Sequence, residues 1–443
     1  MKRKLSMAIA LGLLTISGAP SLSLDANKSS ERNSILRTAK QLRDQGDSKK
    51  AEQLVSGLIK ELPAKGEERT DFAYAFLLRA ECKQMRHEYT QALPDALEYF
   101  ALNPAARWSS FGYRILAEAG DYKDAIKQLD KVVFSITNHA PPYALLAICT
   151  ACEGDFRRSL DSLLKAQENK FSKVDMQLAR GPFVSDETVS VIRKRCESAI
   201  KRNPKDINSH FALAVMNALT RSDNTSVIEL TKVLSLKPNL VAAYAARANC
   251  QLCIDNPKAA LSDITRAIQI NPTDLTNYAV FEKFYTTVSK FDDYFIELDR
   301  RQVQQPKNIA LEIAKARAAK KVGKGWRELH AYEQALKIDP DCVEAILGKG
   351  LSLEGRFQYE EAIKLFDRAV KLQPNDLEAR RDRASCFYVL QKYKEAIADL
   401  NMLIAKTDDP FAYESRAACY QKLGDKSKAR RDLTMAAQNT PNY

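Results

Sequence analysis

The amino-acid sequence predicts an all-α fold, an α-solenoid of about twelve helical hairpins in single file. Three observations predict it. Prolines recur at 204, 238, 272, 306, 340 and 374, each 34 residues after the last. Between them the apolar residues trace two successive helical patterns. Only 15 glycines occur in 443 residues, which argues against a sheet-rich fold with many tight turns.

Proline lacks an N–H and disfavours helix for the residue before it, so the recurring prolines mark the turns between hairpins. Asn203, Asn271, Asp339 and Asn375 supply turn chemistry beside them. Pro63, Pro104 and Pro441 hold the same place in a looser register. Over 343–376, Ile346, Leu347, Gly350 and Leu353 line one helix; Tyr359, Ala362, Ile363, Phe366, Ala369 and Val370 line the next. The alanines allow close helix contact, and Phe366 fills the space beside them. Units start near Arg32, Ala73, Ala106, Ala140, Lys173, Ile207, Val241, Leu275, Ile309, Val343, Leu377 and Pro410. Three departures are expected. Arg180-Gly181-Pro182 should break the first helix of unit five, with Ser185 capping a fresh one. Pro94 should interrupt the second helix of unit two. Tyr294 and Arg301 stand in unit eight where small residues are expected.

The spacing of Ala362, Phe366, Ala369 and Pro374 resembles the tetratricopeptide repeat family. So do Gly424-Asp425 with Ala429, Ala436 and Pro441, and Tyr244 with Ala260, Ala267 and Pro272. The resemblance covers almost everything after the first 31 residues. It implies a right-handed superhelix whose first helices line a concave groove for a protein or peptide partner. Projected into that groove are Lys283, Arg317 and Lys320, with Lys321 beside them and Asn249 as a companion. Family members that grip peptide C termini use lysine, arginine and asparagine there, so these five are the candidate partner-binding residues. The stretch 307–327 carries Lys315, Arg317, Lys320, Lys321 and Lys324 against Glu312. Other groove positions are apolar, Phe211, Val215, Leu252, Leu347, Leu351 and Tyr388, and suit a peptide with apolar anchors.

Four units share Arg-Ala-x-Cys in the first helix, at Arg79, Arg247, Arg383 and Arg416. Each has an aspartate 16 residues on: Asp95, Asp263, Asp399 and Asp432. The other eight units have neither residue at these positions. Such co-occurrence predicts a bidentate ion pair across each hairpin.

Nine cysteines are present. Cys82, Cys149, Cys250, Cys386 and Cys419 share the tenth position of their units, which reads as packing by a small hydrophobe. The pairs Cys149-x-x-Cys152 and Cys250-x-x-Cys253 lie too far apart to converge on one zinc ion. Four scattered histidines, with no HExxH, phosphate-binding loop or nucleophile elbow, leave a catalytic reading without an anchor. No cofactor is expected, and the chain reads as non-enzymatic.

Lys2, Arg3 and Lys4 precede an apolar run from Leu5 to Ile16, which reads as a secretory signal. A bilayer span needs about 20 apolar residues, so the run is short for an anchor. Cleavage is expected between Ser21 and Ala26, and an uncleaved tether is the less favoured outcome. The expected organisation is a signal over 1–26, a linker over 27–31, irregular units over 32–206 with the irregularity at 173–206, and a regular array over 207–443. Export is therefore expected, to a periplasm or the extracellular space, with no membrane span after cleavage. The net charge of +12 suggests an alternative partner, an anionic cell-envelope polymer in a basic groove. Nucleic acid is not expected, because aromatic residues are not interleaved with basic ones. The array ends at a repeat boundary, so the last helix should be unusually polar or should contact a partner or a second copy.

Overall fold

The computed structural model describes residues 22–61, 72–102, 110–135, 140–168, 186–407 and 409–439. The chain divides into two compact units, Met1–Asn103 and Pro104–Tyr443. Among the described residues all regular secondary structure is helical, apart from a single 3₁₀ residue at the start of α3.

The first unit holds α1 (Leu22–Asp44), α2 (Ser48–Ile59), α3 (Ala73–Met85) and α4 (Tyr89–Leu102). Its core joins Leu36, Ala39, Val55, Leu58, Phe72, Ala75, Phe76 and Leu78. Residues 27–31, expected as a linker, continue α1. No glycine or proline interrupts Leu22–Asp44, so nothing there stops a helix. Pro94 does not interrupt α4 either. It removes one backbone hydrogen bond, and the buried neighbours Ala92, Asp95 and Ala96 hold the turns around it.

The second unit starts with α5 (Ser110–Ala119), α6 (Tyr122–Ser135), α7 (Ala140–Glu153), α8 (Phe156–Glu168) and α9 (Asp186–Arg202). Seven hairpins follow: α10 (Ile207–Leu219) with α11 (Asp223–Leu236), α12 (Val241–Cys253) with α13 (Pro257–Ile270), and α14 (Leu275–Thr287) with α15 (Phe291–Gln304). Then come α16 (Ile309–Lys321) with α17 (Gly325–Ile338), α18 (Val343–Glu354) with α19 (Tyr359–Leu372), α20 (Leu377–Val389) with α21 (Tyr393–Thr407), and α22 (Pro410–Lys422) with α23 (Lys426–Asn439). Successive helices pack on one another from α5 to α8 and again from α9 to α23, as an α-solenoid requires, and α10 stacks on α7 across the break. The expected break at Arg180–Pro182 and the expected cap Ser185 lie outside the described residues, as do the signal through residue 21 and Pro63, Pro104 and Pro441.

Local chemistry explains the punctuation. All six prolines of the strict 34-residue series sit in turns. Four of those turns end in an N-cap whose side chain accepts from the new helix: Asp206, Asp274, Asn308 and Asp376. The turn inside each hairpin needs one residue in the left-handed region. Glycine supplies it at 46, 120, 154, 323 and 424, while His87, Arg221, Asp255, Ser289, Phe357 and Gln391 adopt it with φ between 55° and 63°. All eleven occupy the same repeat position.

The four Arg–Asp pairs bridge the helices of their hairpins. Nε donates to Oδ2 at 2.9, 2.8, 2.8 and 2.8 Å for Arg79, Arg247, Arg383 and Arg416, and Nη2 donates to Oδ1 at 2.5, 2.8, 2.6 and 2.7 Å. The aspartates Asp95, Asp263, Asp399 and Asp432 are buried. Each guanidinium also lies over an aromatic ring of its own helix, Phe76, Tyr244, Phe387 or Tyr413. In three hairpins the free Nη1 reaches back to the preceding one, at Thr231 (3.0 Å), Asp367 (2.6 Å) and Asn401 (2.6 Å). A carboxylate left unpaired at this depth costs about 3–5 kcal/mol, which the arginine offsets, joined by Lys83 at Asp95 (2.7 Å) and Arg380 at Asp399 (3.4 Å).

Left-handed backbone costs a residue with a Cβ about 1–2 kcal/mol. Phe357 has φ 63° and is 78% exposed, so it gives little packing in return. Phe357→Gly is expected to stabilise the chain by about 1 kcal/mol. Chemical denaturation checks this; an unchanged or lowered midpoint would contradict it.

Candidate partner-binding site

Among the first helices of the second unit, α10, α12, α14, α16, α18, α20 and α22, α12 packs on α14, α14 on α16 and α18 on α20, which sets them along one face. Helix α8 lies on part of this face, against α10, α12 and α14. Its sequence suits a helix covered on more than one side: Phe156, Ser159, Leu160, Ser162, Leu163, Leu164 and Ala166 are all buried. Phe156 packs on Phe211 with ring centroids 4.8 Å apart. Arg157 Nε donates to Asp274 Oδ1 at 3.1 Å, at the cap of α14. Phe211, Val215 and Leu252, read from sequence as groove positions, are buried.

Asn249 and Lys283 are brought together, and with them Gln167 of α8. Lys283 Nζ donates to Asn249 Oδ1 at 2.5 Å and to Gln167 Oε1 at 3.0 Å. Asn249 Nδ2 donates to the same Gln167 oxygen at 3.2 Å, and Asn249 is fully buried. These two candidate residues therefore engage the chain's own helix. Arg317 pairs with Glu344, and Lys321 donates to Glu282 at 2.7 Å. Lys315 lies 2.8 Å from Asp299 and 3.1 Å from Glu312, and Lys324 lies 3.7 Å from Asp292. Lys320 is exposed and acts on Glu328. The basic stretch at 307–327 is thus matched by carboxylates from neighbouring helices.

Unit eight is distorted for a reason visible in the sequence. Where most hairpins have a small residue facing the first helix, α15 has Tyr294. Its ring is fully buried, and its hydroxyl donates to the Tyr278 carbonyl at 3.0 Å. The ring keeps α14 and α15 apart, and the two touch less than the helices of other hairpins. A cavity of about 310 Å³ lies beside it, between α8, α14 and α16.

The open part of the face is a trough of about 470 Å³ across α18, α20 and α22. Tyr388, Phe411, Ala384, Ala418 and Leu400 give it apolar walls, and Phe411 is 54% exposed. Glu354, Asp382 and Glu414 give it acidic ones. Burial pushes Asp382 up to about 7, and the nearby Glu354 and Glu378 carboxylates add to that. Its one positive neighbour, Arg381, donates to the buried Asp409 at 3.2 Å. Of the predicted groove residues Tyr388 lines this trough, and Leu347 and Leu351 of α18 are also partly exposed. The acidic character was missed from sequence. Its signal was available: Glu354, Glu378, Asp382 and Glu414 all fall on first helices.

Burial pushes the thiols of Cys82 and Cys419 up to about 11 and those of Cys250 and Cys386 up to about 12, which keeps them protonated and inert as packing groups. Among the described residues no group of three or more His, Cys, Asp and Glu side chains is placed to hold a metal ion. No helix among them is long and apolar enough to cross a membrane.

Residues 347–413 match the tetratricopeptide repeat family. DnaJ homolog subfamily C member 3 of Bos taurus is 23% identical over 323 residues, covering 65% of this chain and 63% of that protein. The chain thus spans a little under two thirds of the length of this relative. Hsp70-Hsp90 organizing protein of Triticum aestivum is 22% identical over 191 residues, covering 42% of this chain and 33% of that one. The crystal structure of yeast Tom70 superposes with a TM-score of 0.41 at 15% identity, covering 93% of this chain and all of that one.

Asp382 titrates higher in the folded chain than its ordinary value of 3.8. The folded state therefore keeps a proton that the unfolded chain releases, and stability falls as pH rises from about 4 to about 7. Asp382→Asn is expected to melt higher than the parent at about pH 8 and equally at about pH 4. Calorimetry checks this, and equal melting at both pH values would contradict it.

Proposed function

We propose that this chain, whose residues 347–413 match the tetratricopeptide repeat family, is an exported scaffold that holds a polypeptide partner on the face of its first helices and catalyses no reaction. One observation carries the reading: α8 already lies across three consecutive first helices, with Phe156 and Gln167 as its anchors. That face accommodates a helix, and the adjoining trough over α18, α20 and α22 has the same construction without a covering helix among the described residues. The relative named for organising Hsp70 and Hsp90 supports a role in holding other proteins. The charged n-region Lys2 to Lys4 and the apolar run after it support export. An anionic polymer fits less well, because the basic stretch is matched by carboxylates and the open trough is acidic.

Panning a random peptide library on the full chain tests the binding half. Selected peptides should lose about tenfold in affinity when Tyr388 and Phe411 are both changed to alanine, as for anchor pockets generally. Binding indifferent to that change would contradict the trough. Expression in a secreting host tests export: the released protein should begin between residues 21 and 27, and a full-length chain kept in the cytosol would contradict it.

A further inference from the structure

Among the lining charges of the trough over α18, α20 and α22, negative exceeds positive. Glu354 comes from α18, Asp382 from α20 and Glu414 from α22. Glu378 stands one turn before Asp382. The single lining cation, Arg381, is committed to Asp409. Glu354 accepts from Ser385 Oγ at 3.1 Å, which fixes one carboxylate at the wall. Among the described residues no side chain hydrogen-bonds or ion-pairs with the Asp382 carboxylate. Between these acids sit two aromatic surfaces, Tyr388, braced edge-on by Tyr393 at 5.6 Å, and the half-exposed Phe411. This acidity is local, since the chain as a whole carries a net charge of +12. A carboxylate taken partly out of water without a partner lowers its energy most by meeting a cation.

We propose that this trough binds a cationic peptide segment, with a lysine or arginine side chain between Asp382 and Glu354 and a neighbouring apolar side chain between Tyr388 and Phe411. The proposal rests on the scaffold reading above and adds the partner's chemistry. Acid at three successive first helices matches a segment with cations spaced along it and rejects an anionic one. A second copy of this chain is a weaker fit: its open trough is acidic as well.

Binding should also depend on pH. The charges acting on Asp382 are Glu354 of α18, Arg381 and Glu378 of α20, and Asp376 at the α20 cap. Glu414 of α22 lines the same trough, and Lys165 of α8 and Tyr143 of α7 face Glu378. The cation needs Asp382 ionised, so affinity rises as pH increases through about 7.

The test uses the full chain and three labelled synthetic peptides of alternating leucine with lysine, glutamine or glutamate, measured by fluorescence anisotropy. The lysine peptide should bind best and the glutamate peptide worst. The double variant Asp382→Asn, Glu354→Gln should weaken the lysine peptide about tenfold or more and leave the glutamine peptide unchanged. Affinity of the parent for the lysine peptide should fall between about pH 8 and pH 6, and the double variant should lose that dependence. Circular dichroism and melting at about pH 8 establish that the variant is folded; Asp382→Asn alone serves as the second variant if the double one is not. Equal binding of lysine and glutamine peptides, both lost on Phe411→Ala, would overturn the cationic partner and leave the scaffold reading standing. Binding of none of the three would overturn both. Light scattering that shows a dimer dissolved by the double variant would make a second copy the occupant and overturn the peptide.

Discussion

Everything in the second unit depends on how closely the two helices of each hairpin approach. One position of the first helix and one of the second face each other with almost no side chain between them. Ala248 and Ala260, Ala384 and Ala396, and Ala417 and Ala429 hold these two positions in their hairpins, and all are buried. At Gly350 even a methyl group would press on the Phe366 ring, 2.6 Å from the position of its Cβ. Where serine replaces alanine, its hydroxyl is satisfied by the facing backbone: Ser159 donates to Ala147 at 2.6 Å and Ser226 to Ala214 at 2.8 Å. Close approach puts the larger residues around the rim of the contact, where they reach the next hairpin, and the stack propagates without one central core. The Arg–Asp forks add direction to this packing, because a planar guanidinium holds both helices of its hairpin and, in three cases, the preceding hairpin.

Relaxing the constraint has consequences at a distance. Tyr294 replaces the small residue of unit eight, α14 and α15 separate, and a cavity forms next to α8. The face of first helices is then used in two ways. From α10 to α14 it is covered by α8, whose Gln167 satisfies Asn249 and Lys283. From α18 to α22 it is open, aromatic and acidic. The proposed partner site thus differs in charge from the stretch that the chain's own helix covers.

Periodic features were legible in the sequence because one rule repeats. The first helices begin at Ile207, Val241, Leu275, Ile309, Val343 and Leu377, where the 34-residue register puts them, and at Ala73, Ala140 and Pro410, within two residues of it. The Arg–Asp residues, 16 apart, face each other because that spacing spans one turn and returns to the same level. Features made by non-periodic contacts were not legible. Gln167 lies 82 residues from Asn249 and 116 from Lys283, and nothing in the register brings α8 onto that face. The basic stretch showed only Glu312 opposing it because its other carboxylates lie elsewhere in the chain: Glu282 is 39 residues before Lys321, and Glu344 is 27 after Arg317. Pro94 and residues 27–31 were read from local propensity, which packing and an uninterrupted helical run override.

The central claim is that the first helices form a polypeptide-holding face whose α10–α14 stretch is filled by α8. Hydrogen exchange of the full chain tests it residue by residue. Buried on several sides, α8 should exchange as slowly as α12 and α14, and Gln167→Ala, which removes the oxygen shared by Asn249 and Lys283, should speed α8 most. Fast exchange throughout α8, while α12 and α14 stay protected in the parent chain, would contradict the account.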